Sequence, residues 1–142
     1  MTYLLKGYRI KTRDFNRAGE VSIKVQSVLK AIGFDSALVR RVAICAYESE
    51  MNVVMHGGNG ELSLTVDPAR IILEVRDDGP GIDDIELAMQ EGFTTASHED
   101  REKGFGAGMG LPNIRNNSDT FEIYSEKEEG AHLISTFKVE QD

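Results

Sequence analysis

Residues 71–82 read Ile-Ile-Leu-Glu-Val-Arg-Asp-Asp-Gly-Pro-Gly-Ile, an apolar strand that runs directly into Asp78-Gly79-Pro80-Gly81. No other stretch constrains the fold as tightly. The apolar run needs burial in a sheet, and the glycines let the backbone turn sharply at its end, leaving no side chain between main chain and ligand. A carboxylate held at such a junction, Asp78, is costly unless something uses it. Asp-Gly-Pro-Gly is also an ordinary turn sequence. Its weight therefore comes from two further segments, Glu48-Ser-Glu-Met-Asn52 before it and Gly104-Phe-Gly-Ala-Gly-Met-Gly110 after it.

The chain around this junction reads as one domain, residues 1–142, with no repeat, linker or low-complexity tail. Residues 3–13 form a first strand, with Tyr3, Leu5, Tyr8 and Ile10 as its apolar members. Ala18, Val21, Val25, Val28, Leu29 and Ile32 fall three or four apart and mark a helix, with Asn16 as N-cap and Gly33 as stop. A second helix spans about Asp35 to His56, turning Val39, Val42, Ala46 and Val53 to the core, and Gly57-Gly58-Asn59-Gly60 ends it. Leu62, Leu64 and Val66 alternate with polar partners, and Asp67-Pro68-Ala69-Arg70 turns the chain into the 71–77 strand. A short helix around 83–91, a polar glycine-rich loop over 92–106, a helix from about 108–111 to 117, and strands near 119–126 and 131–140 complete the order. The expected fold is an α/β two-layer sandwich of the α+β kind: a mixed, mostly antiparallel sheet covered on one face by helices.

Glu48 and Asn52 stand four apart on the second helix, so they point from one face. An asparagine oxygen is a hard neutral ligand suited to Mg²⁺, and a nearby carboxylate can act as general base. An isolated pair of this kind also reads as a plain solvated face. The glycines at 104, 106, 108 and 110 precede a helix start, where unobstructed backbone N–H groups attract anions. No Gly-Lys-Ser/Thr follows them, and they do not follow a strand, so neither a Walker A loop nor a dinucleotide fingerprint fits. Taken singly, Thr94 and Thr95 read as a hydroxyl-capped turn, and Arg101 and Lys103 read more readily as solvated charges; within a phosphate-covering loop they become candidates for contacting a γ-phosphate. His56, His98 and His132 lack the spacing of a zinc site.

A net charge of −8 argues against a nucleic-acid partner, which requires a basic face, and against anionic lipid. Cys45, the single cysteine, excludes an internal disulfide and reads as a small buried hydrophobe. The N-terminus offers only short apolar pieces, too few for a signal peptide or a membrane span, and the default expectation is cytoplasmic.

Taken together and in order, these segments resemble the GHKL ATPase superfamily of gyrase, heat-shock chaperone, histidine kinase and MutL domains. Glu48…Asn52 is similar to its N box, Asp78-Gly79-Pro80-Gly81 to its first glycine box, and Gly104–Gly110 to its second, at the end of an ATP lid of about 92–110. Asn52-Val-Val-Met-His56-Gly57, Gly92-Phe-Thr-Thr95, Gly108-Met-Gly-Leu-Pro112 and Phe15-Asn-Arg-Ala-Gly-Glu-Val-Ser22 narrow the resemblance to the bacterial anti-sigma factor and serine-protein kinase family of partner-switching modules. The resemblance implies an ATP and Mg²⁺ site. Asp78 would bind the adenine amino group, with Gly79 and Gly81 in its turn, and Asn52 would ligate Mg²⁺. Glu48 would act as base toward a serine of a STAS-type anti-anti-sigma partner. Thr94, Thr95, Arg101, Lys103, Gly104, Gly106, Gly108, Met109, Gly110 and Leu111 would contribute to the lid and phosphate contacts. Residues 96–107 make this lid longer and more charged than those expected of stressosome-type kinases, which bears on partner contacts.

Three functions stay open at this stage. The first is a serine kinase acting on a STAS-type regulator. The second is a non-catalytic, ATP-gated module that sequesters a sigma factor or another partner. The third is a detached histidine-kinase-like ATPase domain acting in trans. The resemblance also makes a homodimer an expectation.

Overall fold

A computed structural model describes residues 4–56, 58–82, 84–90, 110–126 and 128–139. Strand β1 (Leu4–Ile10) is followed by helices α1 (Glu20–Ile32) and α2 (Ser36–His56). Strands β2 (Gly60–Val66) and β3 (Arg70–Asp77), the short helix α3 (Ile85–Ala88), helix α4 (Gly110–Asn117) and strands β4 (Thr120–Glu126) and β5 (Gly130–Lys138) complete it. The five strands form one sheet in the order β1-β2-β3-β5-β4, and all four pairings are antiparallel. The mixed sheet expected from sequence is thus antiparallel throughout the described residues: β2–β3 and β4–β5 are hairpins, and β1–β2 and β3–β5 also pair antiparallel across longer connections.

Pairing register sets which side chains meet the helices. Leu64 lies opposite Leu73, and Leu73 opposite Ser135. On that face Leu62, Leu64, Val66, Ile71, Leu73, Val75, Leu133 and Phe137 are buried. Helix α2 closes over them with Val39, Val42, Cys45, Ala46 and Val53, the three-to-four spacing that puts one stripe inward. It is flanked by α1, which contributes Val25 and Leu29, and by α4, which contributes Leu111 and Ile114. Each such buried aliphatic chain contributes about 1.5–3 kcal/mol relative to an exposed one. Among the described residues, no helix is long and apolar enough to cross a membrane.

Two local expectations change. Leu4, not Leu5, packs with the core; Leu5 is 69% exposed, because Leu4, Tyr8 and Ile10 share the inward side of the pleat. Helix α1 begins at Glu20 behind Gly19 rather than after Asn16, and no neighbouring side chain caps it. The acceptor for its first N–H groups comes from α2 instead.

Candidate functional site

Glu48 and Asn52 project from the side of α2 that faces α4, one helical turn apart, and both are half-buried. Helix α4 is fastened along α2 at successive turns. Arg41 donates from Nε to the Asn117 carbonyl at 3.0 Å and pairs with Asp119 at 3.2 Å. The Cys45 thiol reaches the Ile114 carbonyl at 3.5 Å. At the next turn the Asn113 side chain hydrogen-bonds the Glu48 carboxylate. Gly110 sits so close that an added Cβ would stand 3.2 Å from Glu48 Oε2. The first turn of α4 therefore encloses this carboxylate. Burial raises the Glu48 pKa, and the Asn113 hydrogen bond works against that rise by favouring the charged form. A carboxylate so placed can accept a proton from a neighbouring hydroxyl.

At the glycine turn after β3 the two adjacent aspartates face different ways. Asp78 is exposed, and its Oδ1 accepts the Asn59 N–H at 2.9 Å. Its own N–H donates to the Asn59 carbonyl at 3.1 Å. A Cβ at Gly58 would collide with this carboxylate, so the close approach depends on glycine. Asp78 thus closes the α2–β2 connection against the end of β3. Asp77 is the residue that continues the inward alternation of Ile71, Leu73 and Val75, and it is half-buried on the helix-covered side. Its Oδ1 accepts the Gly79 N–H at 2.9 Å, which bends the turn over it. Sequence reading passed over Asp77, although the period-two pattern of β3 was the signal that would have found it.

Of the remaining candidates, Gly79 is buried, and Gly81 holds a left-handed backbone with φ 83°. Gly110 touches Glu48, whereas the Leu111 side chain is spent in the core. Thr94, Thr95, Arg101, Lys103, Gly104, Gly106, Gly108 and Met109 lie outside the described residues. Among the described residues, no group of three His, Cys, Asp or Glu could hold a metal ion. Asn52 is the kind of single, neutral oxygen donor that suits Mg²⁺ carried largely by phosphates and water, and its half-buried place on the Glu48 face fits that use.

Glu50 was also missed. It is 2% exposed and accepts the N–H groups of Gly19, Val21 and Ser22 at 3.0, 3.3 and 3.0 Å. With Val54 it faces an open cavity of about 790 Å³, bordered also by Ile10, Val21 and Asp77. Two residues are about 200° around a helix, so this cavity lies on the flank of α2 away from Glu48 and Asn52. Asp77 and Asp78 both border it, so the cavity reaches the turn after β3, while Glu48 and Asn52 stand on the other flank of α2.

A family model described as histidine kinase-, DNA gyrase B-, and HSP90-like ATPase matches residues 35–141. The serine/threonine-protein kinase RsbT of Bacillus subtilis is 29% identical over 112 residues, covering 76% of this chain and 78% of that protein. The anti-sigma F factor of Thermoanaerobacter sp. (strain X514) is 33% identical over 100 residues, covering 67% of this chain and 66% of its own length. The anti-sigma F factor of Bacillus licheniformis is 35% identical over 95 residues, covering 63% and 62%. The chain thus spans slightly less than two thirds of these anti-sigma factors. Among solved structures, a mycobacterial sensor histidine kinase, MprB, superposes with a TM-score of 0.52 at 12% identity, covering 98% of this chain and 100% of that one. At that identity the likeness speaks for the fold alone.

Proposed function

Because the chain belongs to the histidine kinase-, DNA gyrase B- and HSP90-like ATPase family, we propose that it binds ATP with Mg²⁺ and phosphorylates a serine of a STAS-type partner protein, thereby controlling that partner's binding to a sigma factor or similar regulator. The observation that carries this reading is the Glu48 carboxylate, half-buried one turn from Asn52 and held by Asn113 under the first turn of α4. A basic oxygen kept in that place suits a proton acceptor, which a pure binding module does not require. The likeness to a serine/threonine-protein kinase and to anti-sigma F factors supports the same reading.

In the proposed reaction the partner's serine Oγ attacks the γ-phosphorus, the bond from that phosphorus to the β–γ bridging oxygen breaks, and ADP leaves. The serine proton passes to Glu48. Catalysis of this kind is mainly positioning and charge stabilisation. Asn52 would hold the Mg²⁺, whose contribution is neutralisation of phosphate charge. A carboxylate at the end of β3 would accept the adenine amino group. Asp77, half-buried on the helix-covered side, suits that role better than Asp78, which is exposed and turned to Asn59. Backbone N–H groups near Gly110, with lid residues Thr94, Thr95, Arg101 and Lys103, would meet the phosphates. The cytoplasm, where ATP and sigma factors meet, is the proposed location, and a homodimer the proposed assembly.

The test is to capture partners with and without Mg-ATP, then assay them for phosphoserine. Glu48→Ala should keep Mg-ATP binding, measured by calorimetry, and lose transfer. Unchanged transfer by that variant sinks the base assignment. Tight ATP-dependent capture with the γ-phosphate left intact would establish the binding module instead.

A further inference from the structure

The turn that follows β3 is held from outside by the β4–β5 hairpin. Ile82 N–H donates to Ser125 Oγ at 2.6 Å, and the same oxygen stands 3.4 Å from the Ile82 carbonyl. One hydroxyl thus meets both polar groups of one loop residue. Glu128 N–H donates to the Pro80 carbonyl at 2.8 Å. Gly130, with φ 104°, lies so close to Asp77 and Asp78 that a Cβ there would collide with the Asp77 carbonyl. At Gly81 a Cβ would stand 2.6 Å from the Glu126 carbonyl and 2.8 Å from Ser125 Oγ. Hairpin and turn are therefore in backbone-to-backbone contact, with Ser125 as the side chain that locks them. Its position adds weight. Phe121, Ile123 and Ser125 alternate on the helix-covered side of β4, so a hydroxyl occupies a place the strand pattern reserves for an apolar residue.

We propose that Ser125 is a positioning residue for nucleotide recognition: by fixing Ile82 it sets the path of Gly79–Gly81 and hence the direction of the Asp77 carboxylate toward the adenine. The inference rests on the nucleotide-binding reading above and adds to it a determinant of base preference outside all three motifs. The hydroxyl acts through the loop and touches no reacting atom. Without it the Ile82 N–H loses its acceptor, and the turn gains freedom that binding must then remove.

Threonine and valine at position 125 test this cleanly, since both suit a strand and have the same shape, differing only in hydroxyl against methyl. Mg-ATP and Mg-GTP binding are measured by calorimetry, alongside thermal midpoints and amide exchange at Ile82. Ser125→Val should weaken Mg-ATP binding about five- to tenfold, the effect of one hydrogen bond. It should also narrow the preference for ATP over GTP and speed exchange at Ile82, with Ser125→Thr near wild type in all three. A merely structural role would lower the midpoint and leave the base preference alone, which overturns the proposal. So does equal Mg-ATP binding by the two variants, while wild-type binding would then keep the nucleotide reading intact. If wild type binds neither nucleotide, the reading and the proposal fall together.

Discussion

Removing the Glu50 carboxylate should destabilise the domain more than any change at the site itself. Three N–H groups at the start of α1 have no other described acceptor, since no local side chain caps that helix. Glu50→Ala leaves all three without a partner. A buried donor so abandoned costs about 1–3 kcal/mol. The open cavity beside Glu50 admits water as a substitute acceptor, which favours the lower figure. Three bonds at about 1 kcal/mol each give roughly 3 kcal/mol, or a fall of about 10 °C in Tm for a domain of this size. Glu50→Gln keeps one accepting oxygen and should lose about half as much. The pH dependence has a definite sign. Burial raises the Glu50 pKa, and the bonds from Ser22, Val21 and Gly19 offset this only in part. A raised folded pKa contributes stability that is complete below the unfolded value and declines as pH rises through the folded one. The gap between wild type and Glu50→Gln should therefore narrow as pH increases through that window. Urea unfolding followed by far-UV circular dichroism, repeated across pH, reads both quantities. A loss below about 0.5 kcal/mol for Glu50→Ala at constant m-value would refute the cap, and a gap that widens with pH would refute the sign.

Other expectations concern the site and its surroundings. Asp77→Asn should weaken Mg-ATP binding tenfold or more, the scale of a hydrogen bond to a charged group, while Asp78→Asn costs less than about threefold by calorimetry; the opposite ranking would return the adenine role to Asp78. Asn113→Ala removes the donor that holds down the Glu48 pKa, so the acid limb of the phosphotransfer rate should move to higher pH. An unmoved limb would show that Glu48 is not the titrating base. Burial pushes the Cys45 thiol up to about 12, so iodoacetamide at pH 8 should spare it in the native protein and modify it in urea. Rapid native labelling would mean that α2 and α4 separate readily.

Much of this architecture was legible because it is local. The stripe Val39, Val42, Ala46 and Val53 announces α2, and the observed helix, Ser36–His56, starts one residue inside the expected span. Alternation at Leu62, Leu64 and Val66 announces β2. The turns at Asp67 and at Gly130 place the two hairpins. The start of α1 was not legible, since its capping carboxylate lies 28–31 positions away on another helix. The burial of Leu4 over Leu5 likewise depends on register with β2, because a slip of one residue exchanges the two faces.

The same division holds at the site. The sequence alone determined that Glu48 and Asn52 share a helix face and that glycines follow a buried strand, because spacing of a few residues dictates both. Tertiary structure decided which of two adjacent aspartates points inward, since the pleat of β3 sends Asp77 to the helices and leaves Asp78 to Asn59. It also decided that Asn113 holds Glu48 and that Ser125 holds Ile82. Both contacts join segments more than forty residues apart, and only packing brings such groups within hydrogen-bond reach.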